Sequence, residues 1–297
     1  MKKAAATLLE PAAKAIKTVR QGPMPDPLTP AERTAAKVLH RMGCSWGFVC
    51  SCVCLFLGTI TNFKSRDRLI PSSEEVSYMM YHLILFLWRE YTSNQVMCNM
   101  AAILVHYFTM VFFTFLLLES ARTCKIGLVY ITTMKDDNIK LLLLIGWGWP
   151  FLLIAVSVGL NFEDYVSDYS CWLNFGRPVV YYTAVPVCVL SMITIIVTEA
   201  TGTNKPCQTN VPDDMKESYT VCLISRRGMV FILPLTFISW MFGSIAVYYQ
   251  EVWLYALDCN LNAAASAAMV FFHVVENDKI RTFLKRWFGK IKRCFCG

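Results

Sequence analysis

The chain has 297 residues, of which 56% are hydrophobic, with a mean hydropathy of +0.44 and a formal net charge of +7. A sequence this apolar is excluded from the ordinary soluble domains of its length. Uncharged runs at 42–63, 91–118, 141–162, 178–198, 228–250 and 259–275 supply six candidate spans, most reaching the roughly 20 residues a helix needs to cross the hydrocarbon layer.

Residues 1–42 precede the first run and carry eight Lys or Arg against three acidic residues. They hold no signal peptide, because the apolar stretch after Met1-Lys2-Lys3 ends at Leu9 and is followed by Glu10. The segment reads as a basic polar tail, helical near 29–40. In the first span, Cys50, Cys52 and Cys54 act as small apolar filler. A seventh span is expected at 76–88, which is short by itself. It reaches full length if Glu74, Glu75 and Arg89 extend its ends toward the two interfaces.

Charge fixes the count and the orientation. With seven spans, the segments 63–75, 121–140, 199–228 and 276–297 carry eighteen Lys or Arg, while the opposite loops carry only Arg89 and Arg177. Such a bias puts the eighteen in the cytoplasm and the N-terminus outside, although the basic tail opposes its own translocation. Two connections are long: 163–177 outside, and 199–227 inside with Gly202, Pro206 and Pro212 as breakers. Cys98, opening the third span, and Cys171, in the second outer loop, both face an oxidising compartment.

After Val275, the apolar positions Ile280, Phe283, Leu284, Trp287, Phe288 and Ile291 fall at helical spacing among seven basic residues. That pattern predicts an amphipathic helix lying in the membrane surface against anionic lipid. Cys294 and Cys296 beyond it are palmitoylation candidates, with unmodified thiols as the alternative. The expected architecture is an all-α membrane protein: tail 1–42, a seven-helix bundle at 43–275, and an interfacial juxtamembrane segment at 276–297.

Ionisable residues within spans separate transporters and enzymes from receptors, and they are few here. Glu119 and Asp258 are expected near span ends. His82, His106 and His273 fall in different spans, so they read as interhelical hydrogen bonders rather than zinc ligands. The last span lacks the lysine that a retinal Schiff base needs. No catalytic residue, metal, cofactor or nucleic-acid partner is expected.

Several motifs carry a family resemblance. Cys98-Asn-Met-Ala-Ala-Ile-Leu-Val-His-Tyr-Phe108, then Phe115-Leu-Leu-Leu-Glu119, resembles the third helix of adhesion-type G-protein-coupled receptors, with Ser120 in place of the usual Gly. Gly146-Trp-Gly-Trp-Pro150 is similar to that family's fourth helix, and Tyr169-Ser-Cys-Trp-Leu173 to its second outer loop. Ser239-Trp-Met-Phe-Gly243 is similar to its sixth helix. Leu261-Asn-Ala263 and Phe271-Phe-His273 are similar to its seventh. Ala265-Ser266 departs from the usual Gln-Gly, and the second span matches least. Gly146 and Gly148 also fit a plain packing role, allowing helices to approach.

The resemblance implies a plasma-membrane, multi-pass receptor whose partners are lipid, an extracellular ligand and a heterotrimeric G protein. It implies a Cys98–Cys171 disulfide, since the top of the third helix and the second loop meet in that bundle. Trp172, Phe175, Trp240 and Asn262 are then expected at or under an outer cavity. Glu119, Pro234, Trp240 and Gly243 are expected as switch or hinge positions, and Arg122, Lys125, Arg226 and Arg227 on the G-protein face. The family's autoproteolytic ectodomain and its cleavage site are not expected in the 42-residue tail. The alternatives are a secretin-type receptor, which Ile232-Leu-Pro-Leu235 also resembles, and a transporter or scaffold on a similar bundle.

Overall fold

The computed structural model describes residues 28–62, 68–88, 94–128, 138–162, 165–167, 170–173, 179–203 and 216–295. Among them the chain forms helices α1 (Pro30–Asn62), α2 (Leu69–Trp88), α3 (Gln95–Leu128) and α4 (Ile139–Asn161), then a short antiparallel hairpin, β1 (Val166–Ser167) and β2 (Ser170–Leu173). Helices α5 (Val179–Thr203), α6 (Lys216–Tyr249) and α7 (Val252–Val270) complete a seven-helix bundle. A π-helical turn, Phe271–Val275, leads to α8 (Asp278–Phe295).

Helix boundaries follow caps rather than the limits of the apolar runs. Thr29 and Glu32 form a capping box, with Thr29 N donating to Glu32 Oε2 at 3.0 Å and Glu32 N donating to Thr29 Oγ1 at 3.3 Å. Pro30 takes the first helical position, where its missing N–H costs nothing. The boundary expected at 42–43 therefore lies inside one continuous helix. Asn94, Asn138 and Asn277 accept backbone N–H groups at the starts of α3, α4 and α8. Gln250, at φ 56°, takes the left-handed conformation that ends α6 and lets α7 begin two residues later.

Among the described residues, α1, α3, α4, α5 and α6 are long and apolar enough to cross a membrane by composition alone. The outward faces are apolar, with Leu144, Phe151, Tyr181, Ile196 and Phe231 more than half exposed, as lipid contact requires. The interior carries an unusual share of Ser, Thr, His and carboxylate side chains. α3 runs through the middle, packing on α2, α4, α5 and α6, while α1 packs on α2 and α7. Phe112, Phe113, Leu116, Ile232, Leu233 and Trp240 belong to the central apolar cluster.

Four expectations need correction. The second span begins at Leu69, so Glu74 and Glu75 do not reach an interface; both are fully buried in the bundle. The inner connection shrinks, because α5 continues to Thr203 and α6 starts at Lys216, which puts Arg226 and Arg227 on a helix. Charged residues there continue a helix already nucleated by the apolar run. Asp258 and Glu119, expected near span ends, are both buried within the bundle. Of the two motif glycines in α4, Gly146 closely faces the Phe115 ring, whereas a Cβ at Gly148 would meet only its own helix's Leu144, at 3.9 Å. One glycine is needed for close approach and the other is not.

Candidate functional site

Functional side chains gather at the two ends of the bundle. At the hairpin end, a disulfide joins Cys98 at the start of α3 to Cys171 on β2, with Cα atoms 4.7 Å apart. The hairpin has a second anchor in His106, deep in α3. Its Nδ1 lies 2.6 Å from the Tyr165 hydroxyl and its Nε2 lies 2.8 Å from Thr183 Oγ1 on α5. A neutral imidazole has one donor and one acceptor nitrogen, and two hydroxyls can satisfy either tautomer. Burial pushes the Tyr165 phenol up, so this anchor stays protonated.

Under the hairpin lies a narrow cleft lined by residues that include His40, Tyr81, Trp172, Asp258 and Asn262. Asp258 Oδ1 accepts from Ser239 Oγ at 3.0 Å and from Asn262 Nδ2 at 2.9 Å, while His40 Nδ1 stands 3.9 Å from Oδ2. Gly243 makes room for this carboxylate, since an added Cβ would sit 3.0 Å from Oδ1. Trp172 is 8% exposed, and its buried indole Nε1 has no hydrogen-bond partner among the described residues. Below this cleft, Trp240 and Asn262 line a second void with Tyr78, Thr109, Phe112 and Thr236.

The far end is held by buried charge. Arg68 Nη2 donates to both Glu75 oxygens at 2.5 and 2.7 Å and to the Cys54 carbonyl at 3.2 Å. His273, in the π-helical turn, brings Nδ1 to 2.7 Å from Glu75 Oε1. Beside this group, Ser225 Oγ on α6 donates to Glu119 Oε1 on α3 at 2.5 Å, and the Glu74 and Glu119 carboxyls face each other. Arg226 Nε donates to the Thr198 carbonyl of α5 at 3.3 Å. Ser120 Oγ lies 2.7 Å from Thr198 Oγ1, tying α3 to the same stretch of α5.

The structure thus brings Trp172, Trp240, Gly243 and Asn262 to one end of the bundle, with Pro234 inside α6 below them. Glu119, Arg122 and Arg226 gather at the other end, where Arg122 is half-buried and Arg227 exposed. Phe175 and Cys296 lie outside the described residues, as do the side chains of Lys125 and Cys294. Sequence reading missed the Arg68–Glu75–His273 group, the Glu74–Glu119 contact and the central place of Asp258. The available signal was Glu74-Glu75 within reach of a span, because an intramembrane charge marks a functional site by default.

Known proteins resemble the chain over most of its length. Residues 33–273 match the family described as 7 transmembrane receptor (Secretin family). Over 274 residues the chain is 21% identical to Adhesion G-protein coupled receptor D1 of Bos taurus, covering 88% of this chain and 29% of that protein. It is 25% identical over 223 residues to Cadherin EGF LAG seven-pass G-type receptor 3 of Mus musculus, covering 75% of this chain and 7% of that protein. It is 22% identical over 269 residues to Adhesion G protein-coupled receptor D2 of Homo sapiens, covering 86% and 27% respectively. The chain therefore spans less than a third of the length of these relatives.

Proposed function

The chain belongs to the secretin family of seven-transmembrane receptors, and on that premise we propose that it is an adhesion-like G-protein-coupled receptor of the plasma membrane. The observation that carries the reading is the polar closure of the far end. Glu119–Ser225 ties α3 to α6, and Arg226–Thr198 ties α6 to α5. These contacts are reversible, and they join the helices that must separate to admit a cytoplasmic partner between them. An agonist in the hairpin-end cleft and a G protein at the far end then favour one bundle state together, each raising the affinity for the other. No bond is made or broken.

In this reading Trp172, Phe175, Trp240 and Asn262 form the ligand cavity and its floor. Glu119, Pro234, Trp240 and Gly243 carry the rearrangement, and Arg122, Lys125, Arg226 and Arg227 meet the G protein. The working parts are the bundle at 43–275 and the juxtamembrane segment at 276–297, with Cys294 and Cys296 as acylation sites. Residues 1–42 lead in from outside, supported by the excess of basic residues in the far-end segments. A transporter on the same bundle is not favoured by the adhesion-receptor relatives.

The test is nucleotide exchange on purified heterotrimeric G proteins of each class by the chain in lipid nanodiscs. Glu119→Gln and Ser225→Ala are expected to raise exchange above the unmodified chain. No exchange with any class, from the unmodified chain or either variant, rejects the reading. An epitope at residue 1 is expected to be accessible on intact cells and one at residue 297 inaccessible.

A further inference from the structure

We propose that the far end of the bundle is a proton-binding site, one proton shared between the facing carboxyls of Glu74 on α2 and Glu119 on α3, and that it makes signalling follow cytoplasmic pH. The proposal rests on the receptor reading in one respect, that the far end faces the cytoplasm and opens there.

The two carboxyls meet in a dry interior, close enough to share a hydrogen bond. Glu74 is fully buried and Glu119 is 7% exposed. Ser225 Oγ donates to Glu119 Oε1, but among the described residues Glu119 Oε2 and both Glu74 oxygens have no hydrogen-bond partner. An ionised carboxylate has no donor, so two of them turned toward each other away from water only repel. A single proton converts the contact into a charge-assisted O–H···O⁻ bond, as in other carboxyl pairs that hold one proton between them.

The neighbours decide which residue carries it. Arg68 gives two bonds to Glu75 and one to the Cys54 carbonyl, and His273 in the π-helical turn also sits on Glu75. These cations serve the adjacent carboxylate, and Arg68 acts on Glu74 only through space. The Cys54 thiol of α1, beside Glu74, and the Cys222 thiol of α6, beside Glu119, supply no cation. Glu119 has the Ser225 hydroxyl, with Arg122 one turn on along α3, while Arg226 is bonded to the Thr198 carbonyl. Glu119 is thus the better placed to be ionised. Glu74 then holds the proton and donates to Glu119 Oε2. Through its other oxygen Glu119 ties α3 to α6, so the proton acts on the helix that must move.

The sign follows from where the proton goes. When α6 leaves α3, water enters, Glu74 releases its proton to that water, and both carboxylates are solvated as ions. The closed bundle therefore binds one proton more than the open one, and falling pH favours it. Rising cytoplasmic pH favours opening, by up to about tenfold per pH unit for one proton.

The first readout needs no G protein. The infrared spectrum of the full chain in nanodiscs at neutral pH is expected to contain the carbonyl band of a protonated carboxylic acid. Glu74→Gln should remove that band, and Glu119→Gln, which takes away the charged acceptor, should shift it. Absence of the band from the unmodified chain overturns the site, and so does a band indifferent to both variants. Either variant suffices for the assignment if the other fails to fold. The second readout is nucleotide exchange without agonist. Its rate is expected to rise severalfold per pH unit with the unmodified chain, relative to Glu74→Gln, whose amide still donates but does not titrate. Equal pH slopes overturn the coupling, and exchange that follows sodium at fixed pH gives the pair to a metal cation instead. No exchange at any pH would reject the receptor reading and leave the infrared assignment standing.

Discussion

The two ends of the bundle are joined by different chemistry. The ties that hold the hairpin itself are covalent or neutral: the Cys98–Cys171 bond, and the His106 ring between two hydroxyls. At the far end they run through ionisable groups, Arg68–Glu75–His273 and Glu119–Ser225 beside Glu74. A disulfide fixes one arrangement. A buried ionic group tolerates two, because each charge can exchange one partner for another at similar energy, while losing all partners is prohibitive. The end built to keep its shape and the end built to change it can thus be distinguished from their bonds.

The sharpest way to break this comparison is to remove one partner of the buried pair. Arg68→Ala leaves Glu75 without its cation and is expected to cost about 3–5 kcal/mol of stability, read as a fall in the melting temperature of the purified chain. Replacing both at once, Arg68→Met with Glu75→Leu, is expected to recover most of the loss. If the single and double variants melt together, the pair is peripheral and the contrast between the ends fails.

At the hairpin end the expected loss is similar in size but different in character. Removing the bond by Cys98→Ser with Cys171→Ser is expected to cost about 2–5 kcal/mol. The loss should concentrate in the hairpin, where hydrogen exchange at 165–173 would rise while the far end keeps its protection. Uniform loss of protection would mean that the bond organises the whole bundle rather than one end.

A smaller effect separates stability from state. Ser225→Ala removes a donor to a buried carboxyl, an interaction worth about 1.5–3 kcal/mol. If the far end is a two-state closure, part of that energy is expected to appear as raised nucleotide exchange without agonist, and not solely as a lower melting temperature.

These contrasts also mark what the sequence made legible. Apolar runs revealed most of the helices, and the Cys-Trp-Leu and Ser-Trp-Met-Phe-Gly motifs led to residues that do line the hairpin-end cavities. The polar interior was hidden for a physical reason. A charge in a linear pattern reads as the end of a span, because its compensation comes from a residue that local spacing cannot reveal. Glu75 and His273 meet across 198 positions. Asp258 looked terminal by the same logic, although its helix begins at Val252 and the carboxylate faces α6 through Ser239. Caps were legible and overlooked: Thr29-Pro-Ala-Glu32 is a complete helix-start signal.

α8 carries the smallest effect, and there the structure sharpens the expectation of a single membrane-facing stripe. Its apolar positions divide between two surroundings. Ile280 is fully buried in the central cluster and Leu284 packs against that cluster, so the first turns are held by protein. Trp287 is 50% exposed, which places it where the helix leaves the bundle and lipid can take over. Full burial of such a side chain is worth about 1.5–3 kcal/mol, so the exposed half of Trp287 offers about 1 kcal/mol to the membrane. A neighbouring lysine near anionic lipid is worth about the same, so size does not separate the two contributions. Their salt dependence does, because screening weakens the charge and leaves apolar burial intact. In vesicles containing phosphatidylserine, a peptide of residues 277–297 is expected to lose several-fold affinity with Trp287→Ser at both low and high salt. Lys285→Gln should cause a similar loss at low salt alone. If the tryptophan effect also disappears in high salt, charge holds this segment to the membrane and the apolar stripe belongs to the bundle.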